Sequence, residues 1–201
     1  MGRETDVRTG FDEDERTRVG GLYWEAFQRK LKPAFADDRT GEEFVTAAMR
    51  PDRVITARLV GAVIGVCGVH HEGRGAFDPA WPATRKRLGP WSGARALLAL
   101  SLLEHRAEEG VLVLDGICVS PSHRGRGIGS RLMDAVDAYA SRHGLHTVEL
   151  SVVDTNPRAE ALYRRLGFEP VDTGALGLLS GLYGFAAYTT LRRRIGGGRA
   201  A

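Results

Sequence analysis

Cysteine and long apolar runs are what this chain has little of. Among 201 residues there are two cysteines, Cys67 and Cys118. Both fall in apolar, strand-like runs and have no metal-ligand spacing, so they read as buried free thiols of a reducing cytosol and not as a disulfide framework. The six histidines show no zinc-binding arrangement, and the adjacent His70-His71 cannot share one side of a strand. No metal is expected. No apolar run approaches the roughly 20 residues that span a bilayer, and the acidic, Arg-containing N-terminus lacks the pattern of a signal peptide. A cytoplasmic protein with no membrane partner is expected. A concentrated basic surface is missing as well. The net charge is +3, but Arg85-Lys86-Arg87 and Arg192-Arg193-Arg194 are only short clusters without interleaved aromatics. They read as solvated charge, and no nucleic-acid partner is expected.

What remains is the composition of an ordinary globular protein, 43% apolar and 26% charged. The chain has no internal repeat and no low-complexity linker. It reads as a single domain over residues 1–195, followed by a tail, 196–201, expected to be disordered. A first strand is expected over residues 5–10, a helix over Asp12–Phe35, and a short helix over Glu42–Met49, stopped before Pro51. Arg53–His70 reads as two strands that turn near Val60-Gly61-Ala62. Glu72–Gly93 is a long loop carrying Trp81 and Trp91, and Ala94–Glu109 has helical composition. Val111–Val119 is apolar on both faces, as a central strand should be. A helix over Gly129–His143 buries Leu132, Met133, Val136 and Tyr139, with Gly144 after it. A strand, Thr147–Val153, precedes a helix opened by Asn156-Pro157 and ended at Gly167. Glu169–Asp172 and Phe185–Arg192 close the sheet around a Gly/Leu-rich connection, Gly174–Gly184. Alternating strands and helices indicate a mixed α/β sheet.

The run Arg124-Gly125-Arg126-Gly127-Ile128-Gly129 joins the apolar strand to the helix behind it. A strand that turns through glycines into a helix aims backbone N–H groups and a positive helix end at one point, which suits a phosphate. A nucleotide-triphosphate loop would need Lys and Ser/Thr after its last glycine, and Gly129 is followed by Ser130-Arg131. A dinucleotide fingerprint would need a different glycine spacing, although Asp154 stands where its acidic residue would end the next strand.

Residues Val111–Val171 resemble the GNAT superfamily of acyl-CoA-dependent N-acetyltransferases. The resemblance rests on that glycine run and on Asn156 and Tyr163 in Asn156-Pro157-Arg158-Ala159-Glu160-Ala161-Leu162-Tyr163-Arg164-Arg165-Leu166-Gly167-Phe168. The N-terminal half matches only in its coarse order of elements. The resemblance implies a mixed, mostly antiparallel sheet of about six to seven strands flanked by helices and splayed at the cofactor strand. It implies acetyl-CoA as acyl donor, its pyrophosphate on the backbone of Arg124, Gly125, Arg126, Gly127, Ile128, Gly129 and Ser130. Arg126 either reaches a phosphate or is solvated. The pantetheine arm would pair with the backbone of Ile117, Cys118 and Val119, whose N–H groups would stabilise the oxyanion. Gly116 marks either a bulge that opens this slot or a plain interior glycine.

Tyr163 stands where the family protonates the departing thiolate, although Ala159, Leu162, Tyr163 and Leu166 also have core spacing. Asn156 lies near the cofactor arm in the family and is also a good helix N-cap. Asp115 is a carboxylate in an apolar strand, two and four residues before Ile117 and Val119, and is expected on their face. It is either the general base or acceptor-binding group, or a structural hydrogen-bonding residue. Glu149, Glu104 and His105 are weaker candidates, read as surface charges. Tyr23-Trp24-Glu25-Ala26-Phe27, Glu42–Met49 and Gly174–Gly184 would wall the acceptor pocket, with the Trp81–Trp91 loop as lid. The aromatics there suit an aromatic site or a homodimer contact. The strand Leu150-Ser151-Val152-Val153-Asp154 lacks the Glu-Val-Arg run of ribosomal-protein N-terminal acetyltransferases. The reading is an N-acetyltransferase acting on a primary amine of a small molecule or peptide by direct attack in a ternary complex. The alternative is a non-catalytic acyl-CoA-binding or regulatory module of the same fold.

Overall fold

The computed structural model describes residues 5–31, 35, 37–77, 108–177 and 180–196. In chain order the elements are β1 (Thr5–Thr9), α1 (Arg16–Leu31), α2 (Asp38–Ala48), β2 (Val54–Leu59), β3 (Ala62–His70), β4 (Val111–Val119), α3 (Ile128–Arg142), β5 (Thr147–Val153), α4 (Pro157–Arg165), β6 (Glu169–Ala175), α5 (Ser180–Tyr183) and β7 (Ala187–Arg194). The strands form one sheet in the order β1-β2-β3-β4-β5-β7-β6. β4 and β5 run parallel, as a strand–helix–strand crossover requires, and the other neighbouring pairs are antiparallel.

Local chemistry explains most of the boundaries. A 3-10 turn, Glu13–Glu15, leads into α1, and the Glu15 carboxylate accepts the Asp12 N–H at 2.8 Å. α2 begins four residues before the expected Glu42. Its cap is Asp37, which accepts both the N–H and the hydroxyl of Thr40 at 2.8 Å. β2 and β3 are joined by a two-residue turn, with Val60 at φ 53° and Gly61 at φ 79°. Two left-handed residues make the tight hairpin turn that matches strand twist, and Val60 adopts that conformation despite its branched Cβ. The helix expected at Ala94–Glu109 lies outside the described residues up to 107, with Trp81, Trp91, Arg85-Lys86-Arg87, Glu104, His105 and the tail from 197; Glu109-Gly110 form a turn.

The sheet is packed on both faces. Under α3 and α4 lies a cluster that includes Ile55, Leu112, Leu114, Leu132, Met133, Val136, Leu150, Phe168 and Leu191. Under α1 and α2 lies a second, built from Phe11, Val19, Leu22, Tyr23, Trp24, Val45, Met49, Val66 and Cys118. Gly41 lets the two N-terminal helices meet, because a Cβ there would run into the Trp24 ring. Both cysteines are buried free thiols. The Arg192-Arg193-Arg194 run is not the solvated cluster expected from the sequence. Arg192 pairs with buried Glu149 and, at 2.8 Å, with Glu108. Arg193 pairs with Asp137 at 2.5 Å and lies over the Phe168 ring at 4.8 Å. These two adjacent arginines thus fasten β7 to β5 and to α3.

Candidate active site

The centre of the sheet is split. β4 and β5 pair only from Val111↔Thr147 to Leu114↔Leu150. Beyond that point Ser151–Val153 of β5 continue against β7, while β4 stays with β3 as far as Val119↔Gly65. The register of β3 and β4 slips where Gly68 faces Gly116 and Val69 faces Leu114, so Asp115 is the extra residue of a bulge. The expected splay is present. Gly116 has a reason of its own, since a Cβ there would strike the Phe27 ring.

The released edge of β4 is a row of backbone groups. The Ser120 N–H donates to the Ile64 carbonyl at 2.8 Å. Strand alternation then turns the Cys118 N–H toward β3 and those of Ile117 and Val119 toward the open side. The carbonyl of Val119 accepts from Arg124 Nε at 3.0 Å, which draws the start of the glycine loop against the end of the strand.

Gly125 and Gly127 both have φ 75°, which side chains resist. Gly127 caps α3 without a side-chain hydrogen bond, and the first turn holds no acidic residue. The first intrahelical bond runs from the Arg131 N–H to the Gly127 carbonyl at 3.1 Å. The N–H groups of Ile128, Gly129 and Ser130 therefore belong to the turn that helix geometry leaves for an outside acceptor. A Cβ on Gly125 or Gly127 would meet nothing within 4 Å, and one on Gly129 only Leu162 at 3.7 Å, so the outer side of the loop is open. Ile128 is buried and anchors the helix in the core. Exposed Arg126 lines a shallow concavity with Thr5, His123 and Arg131.

α4 approaches the opening from the α3 side. Asn156 caps it, accepting the Ala159 N–H at 3.3 Å, with Pro157 in the first position. Tyr163 is 7% exposed in the same apolar cluster that Ile117 and Val119 touch. Burial pushes its phenol above the usual range and the Cys67 thiol adds to the effect, so the hydroxyl keeps its proton at neutral pH. The spacing of Tyr163 is that of a core residue, and it is one. The cluster it joins is the one that underlies the split.

Asp115 is not on the face of Ile117 and Val119. The bulge shifts the period of two by one residue, and its side chain lies on the α1 face. There its Cβ borders Gly68 beside the Tyr23 ring, and Oδ2 accepts the Ala76 N–H at 2.8 Å. Tyr23 Oη donates to the Asp115 carbonyl at 3.3 Å, and His70 Nδ1 stands 3.8 Å from Oδ1. His70, Gly75 and Ala76 are neighbours that strand periodicity did not anticipate. Glu149 is buried against Arg192 instead of standing on the surface. Asp154 accepts the N–H groups of Ala186 and Ala187 at 3.2 and 3.1 Å, closing the β5–β7 end instead of facing a ribose. Among the described residues no group of His, Cys, Asp and Glu is arranged to hold a metal, and no helix is long and apolar enough to cross a membrane.

Comparisons with known proteins agree with this fold. The thialysine N-epsilon-acetyltransferase of Bos taurus is 41% identical over 56 residues, which are 28% of this chain and 33% of that protein. The streptothricin acetyltransferase of Streptomyces lavendulae is 35% identical over 72 residues, 36% of this chain and 38% of that one. The chain thus spans only about a third of the length of these relatives. The crystal structure of an N-acetyltransferase from Staphylococcus aureus Mu50 superposes with a TM-score of 0.70 at 15% identity, covering 94% of this chain and 100% of that one. At that identity the likeness shows the fold. Residues 17–168 match the model of the acetyltransferase (GNAT) family, and the chain belongs to that family.

Proposed function

We propose that the chain transfers an acetyl group from acetyl-CoA to a primary amine by direct attack in a ternary complex. The observation that carries this reading is the released edge of β4 beside an uncapped helix N-terminus. The two features together fit a ligand with an amide-bearing arm and a phosphate-rich end. The first-turn N–H groups of α3 and the open glycines Gly125, Gly127 and Gly129 would take the pyrophosphate, with Arg126 within reach of it. The N–H groups of Ile117 and Val119 are free to pair with the pantetheine arm, and one of them would hold the thioester oxygen as charge develops on it. Cys118 would contribute through its buried side chain, which packs under α1. Burial raises that thiol to about 11, so it is protonated at neutral pH and a poor nucleophile, which favours direct attack over an acyl-enzyme. The Tyr163 hydroxyl would protonate the departing thiolate. Asn156 fixes the start of the helix that carries Tyr163.

The test uses the purified chain. CoA and acetyl-CoA are expected to raise its melting temperature and to protect the Gly125–Ser130 amides from hydrogen exchange, while NAD and NADP do neither. With acetyl-CoA present, release of free thiol is measured against thialysine, streptothricin, L-lysine and spermidine. Binding without thiol release on a broad amine panel favours a non-catalytic acyl-CoA-binding module. Absence of both effects of CoA rejects the donor assignment.

A further inference from the structure

His70 and Asp115 meet because of two separate irregularities. On β3, side chains alternate, so adjacent His70 and His71 part company. His71 packs on the α3 side, 5.7 Å from the Tyr139 ring by centroids, and His70 is left on the α1 side. On β4 the bulge turns Asp115 to that same side. The turn after β3 then closes over the pair. The Ala76 N–H binds Asp115 Oδ2 at 2.8 Å, and a Cβ on Gly75 would stand 2.8 Å from Asp115 Oδ2 and 2.9 Å from His70 Nδ1. The glycine thus packs directly against both polar side chains, where a side chain of its own would not fit. Both are 18% exposed, partly shielded yet within reach of solvent. Nδ1 of His70 faces the carboxylate, which turns Nε2 away from it.

We infer that His70 is the group that takes the proton from the attacking amine, and that Asp115 is its positioning residue. This rests on the acetyl-transfer reading above. The amine nitrogen forms a bond to the thioester carbonyl carbon while the carbon–sulfur bond breaks. The proton shed by the nitrogen goes to His70 Nε2, and the CoA thiolate takes one from Tyr163. Exchange with water then returns both side chains to their starting states. Asp115 fixes the imidazole with its Nδ1–H toward the carboxylate. The separation of 3.8 Å is longer than a hydrogen bond, and catalytic contacts of this kind tighten when substrate fills the site. Tyr23 from α1 stands against the pair on this face, while Cys67 and His71 lie on the α3 side of the sheet. Burial pushes Tyr23 and Cys67 upward, away from neutral pH, and pushes His71 downward.

The experiment compares wild type, His70→Gln, Asp115→Asn and Tyr163→Phe with acetyl-CoA and the best acceptor among thialysine, streptothricin, L-lysine and spermidine. His70→Gln is expected to lower kcat by about a hundredfold, within the usual span of general-base effects. It should also abolish the acid limb of the pH profile of kcat measured at saturating acceptor. Asp115→Asn leaves the imidazole less firmly oriented, and a smaller loss of kcat is expected. The melting-temperature rise caused by CoA is expected to be the same in all. An acid limb that persists in His70→Gln overturns the assignment. Nitrogen-15 NMR of labelled histidine decides it independently of turnover and of the variants' stability. In wild type the neutral ring should carry its proton on Nδ1, and in Asp115→Asn that preference should fall. An Nε2–H tautomer in wild type overturns the dyad. Failure of CoA to shift the wild-type melting temperature rejects the acetyltransferase reading and leaves the tautomer result standing by itself.

Discussion

On the face of the sheet beneath α3 and α4, the groups assigned to the donor belong largely to the backbone. They are the first-turn N–H groups of a helix, the edge of β4 released beyond Leu114, and glycines whose missing side chains leave room. On the face beneath α1 and α2, the polar groups are buried or half-buried side chains. Arg58 is 5% exposed and is held by Glu15, and Asp115 sits among Tyr23, His70 and Ala76. A ligand rich in phosphate and amide groups can be bound by peptide geometry. Taking a proton requires a titratable side chain in a fixed place, and such a side chain must be shielded and partnered. The two faces divide the proposed reaction along that line.

The sharpest way to separate the faces is to remove a buried charge from one of them. The Glu15 carboxylate grips Arg58 with both oxygens, at 2.6 Å to Nε and 2.5 Å to a terminal nitrogen. Glu15→Gln leaves a buried guanidinium without its counter-charge, and about 3–5 kcal/mol of stability is expected to be lost in urea melts. The Arg58 guanidinium holds the Glu15 carboxyl down at about 2 against an ordinary 4.5. Its contribution is therefore complete above about pH 4.5 and fades as pH falls toward 2. A variant whose melt matches wild type would mean that the α1 face is held by its apolar cluster alone.

Tyr163 tests the α3 side by rate instead of stability. Tyr163→Phe keeps the ring against Phe168 and deletes the proton donor, and kcat is expected to fall about 10- to 100-fold while CoA affinity stays within about twofold. Equal turnover would return Tyr163 to the core role that its spacing suggests. This ambiguity shows how much was readable in advance. The glycine run could be placed at the turn from strand to helix because that turn demands glycines, and Gly125 and Gly127 hold the positive φ there. The order of strands and helices after Val111 followed from apolar period and caps. What the pattern hid was the bulge. One extra residue at Asp115 leaves no mark in composition, yet it reverses the face of everything after it, so the carboxylate was expected beside Ile117 and lies beside His70. Glu149 was concealed in the same way, since its partner Arg192 lies two strands onward in the chain.

A third variant separates binding from folding within the donor loop. Gly129 is helical in conformation and a Cβ there meets only Leu162 at 3.7 Å. Gly129→Ala is expected to leave the melting temperature unchanged or slightly higher, because alanine favours a helix by up to about 1 kcal/mol. On the proposed reading the added methyl would crowd the phosphates, and CoA affinity is expected to fall about tenfold, roughly 1.4 kcal/mol. A stable protein that still binds CoA at full strength would move the phosphates away from the start of α3.

The smallest expected effect concerns a polar side chain on the α3 face, and it shows how that face tolerates one. His71 is 3% exposed and packs with Tyr139, whose hydroxyl lies 3.0 Å from its Nε2, beside the His143 ring and the buried Arg53. Burial lowers its pKa from the ordinary 6.5, and the Arg53 charge pushes the same way. The folded protein therefore resists protonation that the unfolded chain accepts. His71 contributes its full stability above about pH 6.5, and that contribution declines as pH falls through the folded-state value, then levels off. Melts between pH 7.5 and 5 are expected to show this first loss well before the Glu15 loss below pH 4.5. His71→Gln should flatten the upper window and leave the lower one in place, while Glu15→Gln should do the reverse. A single acid transition, moved by both variants together, would mean that the two faces unfold as one unit through shared charges. Two separable windows would mean that each face carries its own acid-sensitive group, one neutral and packed against rings, the other ionised and gripped by arginine.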